Sequence, residues 1–227
     1  MNILLVANGK VNNKILSNNF IYQKDIKKII AVNGGSNKLI KLNIFPDIII
    51  GDLDSKKIRK SLKNKDVLNN LHKKIISFPK DKDFSDLELG VNYINNMDDL
   101  IKCVYCFGVI GNRFDHTLAN INSLFNLYIK ESIENVIIYD LESVLFLIKD
   151  NNELNLEVDI NTRASVLAFN IPFSKVFLNG FKYYGQYDIP FLSSLGISNY
   201  TKNNVIKVSS ISGRLVFILY SFNYKLL

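Results

Sequence analysis

Acidic residues follow two predicted strands in the first half of this 227-residue sequence. Asp52 and Asp54 come after the apolar run PDIII, and Asp83 and Asp86 come after the run KIISF. Residues two apart in an extended chain point the same way, so Asp52 and Asp54 can converge. Converging carboxylates repel unless a cation lies between them, and Mg²⁺ held by carboxylates and substrate phosphates is the expected solution. We therefore predict that the four carboxylates surround one divalent-metal site.

These acidic residues have other interpretations. A polar turn that caps the next helix uses the same residue types, and Asp83 or Asp86 could simply complement a helix dipole. D-x-D also occurs in nucleotide-sugar glycosyltransferases and in phosphatases with a D-x-D-x-T nucleophile, although Lys56 occupies the Thr position here. Ser85 and Glu88 form a capping-box pattern, which predicts a helix from Asp86.

A glycine-containing loop leads from another predicted strand into a helix at Gly108–Asn120. The glycines allow close backbone approach, and a helix N-terminus favours anions. Arg113, one of four arginines, can fork onto a phosphate from this loop. His116 and Asn120 share a helix face at i,i+4. The segment is either a phosphate site or a well-capped helix with Asp115 near its start.

Two adjacent glycines, Gly34 and Gly35, follow the predicted strand KIIAVN. They form either a turn or a nest of backbone N–H groups for phosphate. On the glycines alone the turn is favoured, so a phosphate role depends on the other motifs.

Short apolar runs alternate with helix-compatible stretches over residues 1–150. The runs are continuous and β-branched, as in strands buried on both faces of a parallel sheet. We predict an α/β fold, with a doubly wound, mostly parallel sheet and helices on both faces. The predicted strands are Asn2–Ala7, Lys28–Asn33, Pro46–Ile50, Lys74–Phe78, Ile101–Phe107, Val136–Tyr139 and Val144–Ile148, and the predicted helices are Asn37–Leu42, Asp86–Ile94 and Phe114–Ile129.

Residues 151–227 have a different sequence pattern from residues 1–150 and contain 13 of the 26 aromatic residues. Short apolar runs there are separated by Gly, Asn, Ser and Pro, and no long helical period is present. This pattern predicts a C-terminal all-β, sandwich-like domain.

Composition bears on partners and location. The net charge of +7 is concentrated in residues 56–82, and the chain has 24 Lys but 4 Arg, so we predict no nucleic-acid partner. No apolar run reaches the roughly 18 residues of a membrane span, and the N-terminus lacks a signal-peptide pattern. We therefore expect no membrane association.

Two cysteines, Cys103 and Cys106, favour a cytoplasmic protein. Three positions apart in a predicted strand, they point to opposite faces and are expected to be buried thiols.

Taken together, four segments resemble the motifs of the thiamine pyrophosphokinase family. They are NGGSN (Asn33–Asn37), PDIIIGDLDS (Pro46–Ser55), DKDFSDLE (Asp81–Glu88) and GVIGNRFDHTLAN (Gly108–Asn120). A weaker C-terminal signature is matched at Gly180–Tyr183 and Ser198–Asn199. Each motif is common alone, but four in order at successive strand ends are specific.

The resemblance implies transfer of the pyrophosphoryl group of ATP to the hydroxyl of thiamine, which gives thiamine diphosphate and AMP. It implies an ATP- and Mg²⁺-binding catalytic domain at 1–150, a thiamine-binding domain at 151–227, and a homodimer with active sites at the subunit interface. The implied roles are metal binding for Asp52, Asp54, Asp83 and Asp86; catalysis for Asp54, Asp86 and Arg113; nucleotide binding for Gly34, Gly35, Ser55, Lys82, Arg113, Asp115 and His116; and thiamine binding for Asn120, Tyr183, Ser198 and Asn199.

The sequence departs from the family pattern at three positions. Asn33 stands where the family has Asp, which removes one carboxylate. Lys82 stands where Gln is common, which adds a positive charge beside the phosphates. Tyr183 replaces Trp and offers a smaller ring for stacking on an aromatic cation. An inactive thiamine-binding homologue and a D-x-D, Mg²⁺-dependent nucleotide-sugar transferase remain the alternatives.

Overall fold

A computed structural model describes residues 1–52, 74–79, 81, 83–169 and 172–227. The predictions for Asp54, Ser55 and Lys82 lie outside these described residues. The chain forms two compact units, Met1–Leu141 and Glu142–Leu227. The division therefore falls before the boundary predicted at residue 150, because the strand Val144–Ile148 pairs with Leu215–Leu219 near the C-terminus.

The first unit is built on parallel strands. They are β1 (Asn2–Val6), β2 (Ile26–Val32), β3 (Ile48–Gly51), β4 (Lys74–Ser77), β5 (Ile101–Phe107) and β6 (Ile133–Tyr139), in the spatial order β6-β5-β1-β2-β3-β4. Every described pairing between them is parallel. Strand β1 pairs with both β2 and β5, so the direction in which successive strands are added reverses there.

The central strand β1 shows why the runs are continuously apolar. Successive side chains point to opposite faces of a sheet. Ile3, Leu4, Leu5 and Val6 are each 0% exposed, so both faces of β1 are covered. A polar residue on either face would lose its contacts with water. The sequence of β1 therefore does not alternate between apolar and polar residues, as that of a half-exposed strand does.

Helices connect the parallel strands. They are α1 (Asn18–Gln23), α2 (Gly35–Lys41), α3 (Asp86–Asn95) and α4 (Phe114–Phe125), and α4 continues as a 3₁₀ turn at Asn126–Ile129. The predicted capping box is confirmed, since Glu88 N donates to Ser85 Oγ at 3.2 Å and Ser85 N donates to Glu88 Oε2 at 2.8 Å. None of the helices in the described part of the chain combines the length and apolar character that crossing a membrane requires.

The second unit is antiparallel. Its strands are β7 (Val144–Ile148), β8 (Asn152–Val158), β9 (Arg163–Ala168), β10 (Phe173–Asn179), β11 (Gly185–Pro190), β12 (Asn199–Tyr200), β13 (Val205–Ser212), β14 (Leu215–Leu219) and β15 (Tyr224–Leu226), with a 3₁₀ turn at Ser194–Gly196. Within the unit they lie in the orders β12-β9-β14-β7 and β11-β10-β13-β8-β15. Phe146 of β7 meets Tyr224 of β15 edge to face at 5.0 Å, which joins the two layers. The predicted α/β fold with a separate β domain is confirmed.

Both cysteines lie in β5, buried and free, as the sequence predicts. Burial raises the pKa of the Cys103 thiol to about 12 and raises that of Cys106 well above its usual value. The neutral thiols are therefore strongly favoured at physiological pH, and the thiolate is the reactive form.

We expect Cys103 and Cys106 to be unreactive toward a disulfide reagent such as DTNB at pH 8 while the protein is folded. Full reaction of both thiols is expected after unfolding in guanidinium chloride, because unfolding returns their pKa to the ordinary range. Thiol titration by absorbance measures both states. Rapid stoichiometric labelling of the native protein would contradict the buried placement.

Candidate active site

A cavity of about 760 Å³ opens in the first unit beyond the carboxyl ends of β1, β2, β3 and β5. This is the edge at which ligands bind in open α/β sheets, where the strand order reverses. Its wall combines residues that follow the strands with the first turns of α3 and α4, and includes Asn8, Gly9, Asn33, Asp52, Phe84, Asp86, Gly108, Asn112, Arg113, His116 and Asn120. All four motif segments thus contribute residues to the wall of one cavity.

Asn33 connects two of the predicted carboxylates. Its Nδ2 donates to Asp52 Oδ1 at 3.0 Å and to Asp86 Oδ2 at 2.8 Å. Asp52 follows β3, and Asp86 is the first residue of α3. Asn33 has φ +44°, a left-handed conformation that Asn adopts more readily than most residues. The local chain thus aims one amide at two carboxylates from different elements.

The predicted ring of four carboxylates is only partly described. Asp52 and Asp86 line the cavity, whereas Asp83 is exposed and is not among its described lining residues. Across the described ranges, no group of three or more His, Cys, Asp or Glu side chains could hold a metal ion. The remaining pair still fits Mg²⁺, which is usually held by one or two carboxylates together with waters and substrate phosphates.

Arg113 and Asp115 form a forked ion pair. Arg113 Nη2 lies 2.6 Å from Asp115 Oδ2, and Nε donates to Oδ1 at 3.3 Å. The hydrogen bond from Arg113, helped by the backbone N–H of His116, lowers the pKa of Asp115 to about 2, and Asp115 raises the pKa of Arg113. Arg113 and His116 line the cavity but Asp115 is absent from its described wall, so Asp115 orients Arg113.

The loop before α4 is tied to the helix by side chains. Asn120 Nδ2 donates to the carbonyl oxygen of Val109 at 2.8 Å. Thr117 Oγ1 donates to the carbonyl oxygen of Arg113 at 3.1 Å and accepts from Gly111 N at 3.3 Å. Asn120 therefore fixes the loop that carries Arg113, in addition to lining the cavity.

The structure shows what Gly34 and Gly35 make room for. A Cβ at Gly34 would overlap the Asn8 side chain, and one at Gly35 would overlap the carbonyl oxygen of Val6. Both glycines thus allow α2 to pack closely against the end of β1. Neither belongs to the described cavity wall, so their nucleotide-binding role stays a prediction.

Several wall residues are absent from the predicted site. Asn8 and Gly9 directly follow the central strand β1, so the strand-end rule that selected Asp52 also applies to them. Phe84 and Asn112 also line the cavity. Phe84 is 54% exposed, and no sequence pattern distinguishes it from the polar loop around it.

A smaller cavity of about 230 Å³ lies in the second unit and is lined by Leu178, Tyr183, Tyr187, Ile189, Leu195, Gly196, Ile197 and Asn199. Asn199 is buried, and its amide pairs with the backbone of Tyr183. Tyr183 N donates to Asn199 Oδ1 at 3.0 Å, and Asn199 Nδ2 donates to Tyr183 O at 2.8 Å. Ser198 is exposed, with φ +58°, and is not among the described lining residues.

The fold and the cavity define a class of protein: a parallel α/β unit with a polar, carboxylate-lined site at the strand-order reversal, followed by an antiparallel β unit. Residues 21–137, more than half of the chain, match the family model described as "Thiamin pyrophosphokinase, catalytic domain". The chain therefore belongs to the thiamin pyrophosphokinase family.

Named relatives and solved structures agree with this membership. The chain is 30% identical over 126 residues to thiamine pyrophosphokinase 1 of Oryza sativa subsp. japonica, which is 53% of this chain and 45% of the rice protein. It is 29% identical over 173 residues to thiamine pyrophosphokinase of Bacillus subtilis, 75% of this chain and 76% of that protein. The chain thus spans less than half of the rice relative but most of the Bacillus one.

Crystal structures support the fold. Thiamine pyrophosphokinase from Bacillus subtilis superposes with a TM-score of 0.77 at 24% identity, over 98% of this chain and 100% of that one. Thiamin pyrophosphokinase from Geobacillus thermodenitrificans superposes with a TM-score of 0.76 at 22% identity, over 98% and 99% of the two chains.

We expect the Asp115 carboxyl to titrate near pH 2, as measured by NMR of its carboxyl carbon. Arg113→Gln should raise this midpoint toward the ordinary 3.8, because the largest cause of the lowered pKa is removed. The pair adds stability above the ordinary pKa and loses it as pH falls through the lowered one. Both side chains are exposed, so the effect on the free energy of unfolding should be small.

Arg214→Gln is the matched control for this titration, since it removes an arginine of the second unit and should leave the Asp115 midpoint near 2. An unchanged midpoint in Arg113→Gln would contradict the pairing.

Proposed function

We propose that this protein is a thiamine pyrophosphokinase, which transfers the pyrophosphoryl group of ATP to the hydroxyl of thiamine and releases AMP. The observation that carries the proposal is the cavity at the strand-order reversal, in which Asp52 and Asp86 are joined through Asn33 and face the same space as Arg113. A cavity of this size is in the range of small-molecule sites.

The cavity has features that suit a triphosphate. The first turns of α3 and α4 contribute to its wall, and free backbone N–H groups at helix starts favour anions. Arg113 carries a guanidinium that can contact phosphate oxygens in a forked geometry. There is no space for a Cβ atom at Gly9 or at Gly108. The two glycines therefore allow the backbone after β1 and the backbone after β5 to lie close together.

Asp52 and Asp86 are the described residues that would hold Mg²⁺, with Asp54 and Asp83 as further predicted ligands. When bound, the ion would neutralise phosphate charge. In the reaction, the thiamine hydroxyl oxygen forms a bond to the β-phosphorus, the bond from that phosphorus to the AMP oxygen breaks, and the hydroxyl proton is released to the solvent. Arg113, held in place by Asp115, would stabilise charge on the transferred group, so the chain's main contribution is positioning and charge neutralisation.

The smaller cavity of the second unit suits an aromatic cation. Its described lining is mostly apolar and includes the exposed ring of Tyr183, and aromatic faces attract cations such as the thiazolium of thiamine. Asn199 would act through Tyr183, whose backbone it holds. Ser198 and Asn120 remain predicted thiamine contacts. The homodimer with a site at its subunit interface and the cytoplasmic location belong to the same proposal.

The direct test incubates the full chain with ATP, Mg²⁺ and thiamine and measures AMP and thiamine diphosphate together. We expect equal amounts of both products and no reaction in EDTA. Asp86→Asn should lower kcat by roughly a hundredfold, because the neutral amide keeps the shape of the carboxylate but loses its charge. Asp98→Asn, an exposed carboxylate of the same unit, is the matched control and should keep full activity.

The other outcomes separate the alternatives. AMP without thiamine diphosphate would indicate another acceptor, and consumption of a nucleotide sugar with thiamine untouched would favour the D-x-D transferase. Thiamine binding without turnover would identify an inactive homologue. An Asp86→Asn variant with normal turnover would overturn the assignment of this carboxylate.

We expect Tyr183→Ala and Asn199→Ala to raise the KM for thiamine by about tenfold each and to leave the KM for ATP unchanged. Tyr183 supplies the ring, and Asn199 fixes the backbone from which the ring extends, so the double variant should show less than the summed effect of the single changes. Steady-state kinetics with each substrate varied measures this. Asn203→Ala, at an exposed position of the same unit, is the control. An unchanged KM for thiamine in both variants would refute the assignment.

A further inference from the structure

Both backbone polar groups of Asn33, its N–H and its carbonyl oxygen, are hydrogen-bonded, so the position from which its side chain extends is fixed. Its N–H donates to the carbonyl oxygen of Ile50 at 2.7 Å. Its carbonyl oxygen accepts from Ser36 Oγ at 2.9 Å and from Ser36 N at 3.3 Å, and Ser36 is buried. Gly51, which precedes Asp52, lies so close that a Cβ there would approach the Cα of Asn33 to 3.2 Å.

The side chain that leaves this fixed backbone has one nitrogen with two hydrogens, and each hydrogen is directed at a different carboxylate. Two carboxylates within reach of one nitrogen repel each other. Hydrogen bonds from a neutral amide hold both carboxylates in place without adding a charge of their own. A carboxylate in place of this amide would have no hydrogen to donate and would add a third negative charge.

We propose that Asn33 is a positioning residue, whose amide holds Asp52 and Asp86 as a preformed pair in the metal-free protein and limits the negative charge that the pair presents to a divalent cation. The inference deepens the proposed function, since it concerns the carboxylates assigned to Mg²⁺ there. It predicts that the pair is assembled before the cation arrives, and that the cation binds less tightly than it would to three carboxylates.

Three variants distinguish the effect of losing the Asn33 amide from the effects of an added negative charge and of the positive-φ backbone. Asn33→Asp replaces the donor by a carboxylate. Asn33→Gly removes the side chain and accepts φ +44° without strain. Asn43→Asp is the matched control, because Asn43 is exposed, lies in the same unit and also has a positive φ, +55°. The same Asn-to-Asp change is thus made in the same backbone conformation away from the cavity.

The measurement is the Tm of each full-length variant in EDTA and during titration with MgCl₂, without nucleotide or thiamine. In EDTA we expect Asn33→Asp to lie about 4 °C or more below Asn43→Asp, with Asn33→Gly between them. MgCl₂ should restore the Tm of Asn33→Asp, with a half-maximal concentration at least about tenfold below that of the unchanged protein. Asn33→Gly should need no less MgCl₂ than the unchanged protein.

Equal Tm values for Asn33→Asp and Asn43→Asp in EDTA would overturn the proposal. So would a lowered Tm that MgCl₂ does not restore, because Asn33 would then be structural only. Because this test contains neither ATP nor thiamine, its result is independent of turnover. A chain that makes no thiamine diphosphate but shows the expected Mg²⁺ titration would refute the proposed function and retain the role of Asn33.

Discussion

Strand β1 pairs in parallel with β2 on one side and β5 on the other, and this pairing determines where the polar residues of the first unit lie. Parallel strands present their carboxyl ends at one edge, so the segments after β1, β2, β3 and β5 all lead away from the same place. The side-chain positions of β1 from Ile3 to Val6 are fully buried, and burying a polar group there without a hydrogen-bond partner would cost free energy. Polar groups therefore collect where the strands end, and the cavity forms there.

Close backbone approach at this edge follows from the same arrangement. The carbonyl oxygens of Val6 and Ala7 occupy the positions that Cβ atoms would take at Gly35 and Gly108. Larger residues would push α2 or the loop before α4 away from β1, and the wall residues would separate. These glycines thus act first through packing, and any contact with phosphate depends on the backbone geometry that this packing produces.

Much of this organisation could be predicted from the sequence because it follows from local periodicity. The apolar runs indicate the parallel strands, and the Ser85–Glu88 pattern indicates the start of α3. That Asp86 lines the cavity while Asp83 is exposed and outside its described wall could not be predicted, because side chains in an irregular turn have no period. Nor could the domain boundary, because β7 is assigned to the second unit by its pairing with β14, about seventy residues later in the chain. Asn8 directly follows β1, so its place in the cavity wall could be predicted from the rule that ligands bind beyond the carboxyl ends of parallel strands.

Three of the asparagines that line the two cavities share a role that motif matching does not reveal. Asn33 donates to Asp52 and Asp86, Asn120 donates to Val109, and Asn199 pairs with the backbone of Tyr183. In each case the amide holds another part of the protein. An amide that is at least partly removed from water needs partners of its own, and using protein groups as those partners fixes the residues beside it. These amides thus position neighbouring groups of the cavity walls, so a motif residue can shape a site through its contacts within the protein.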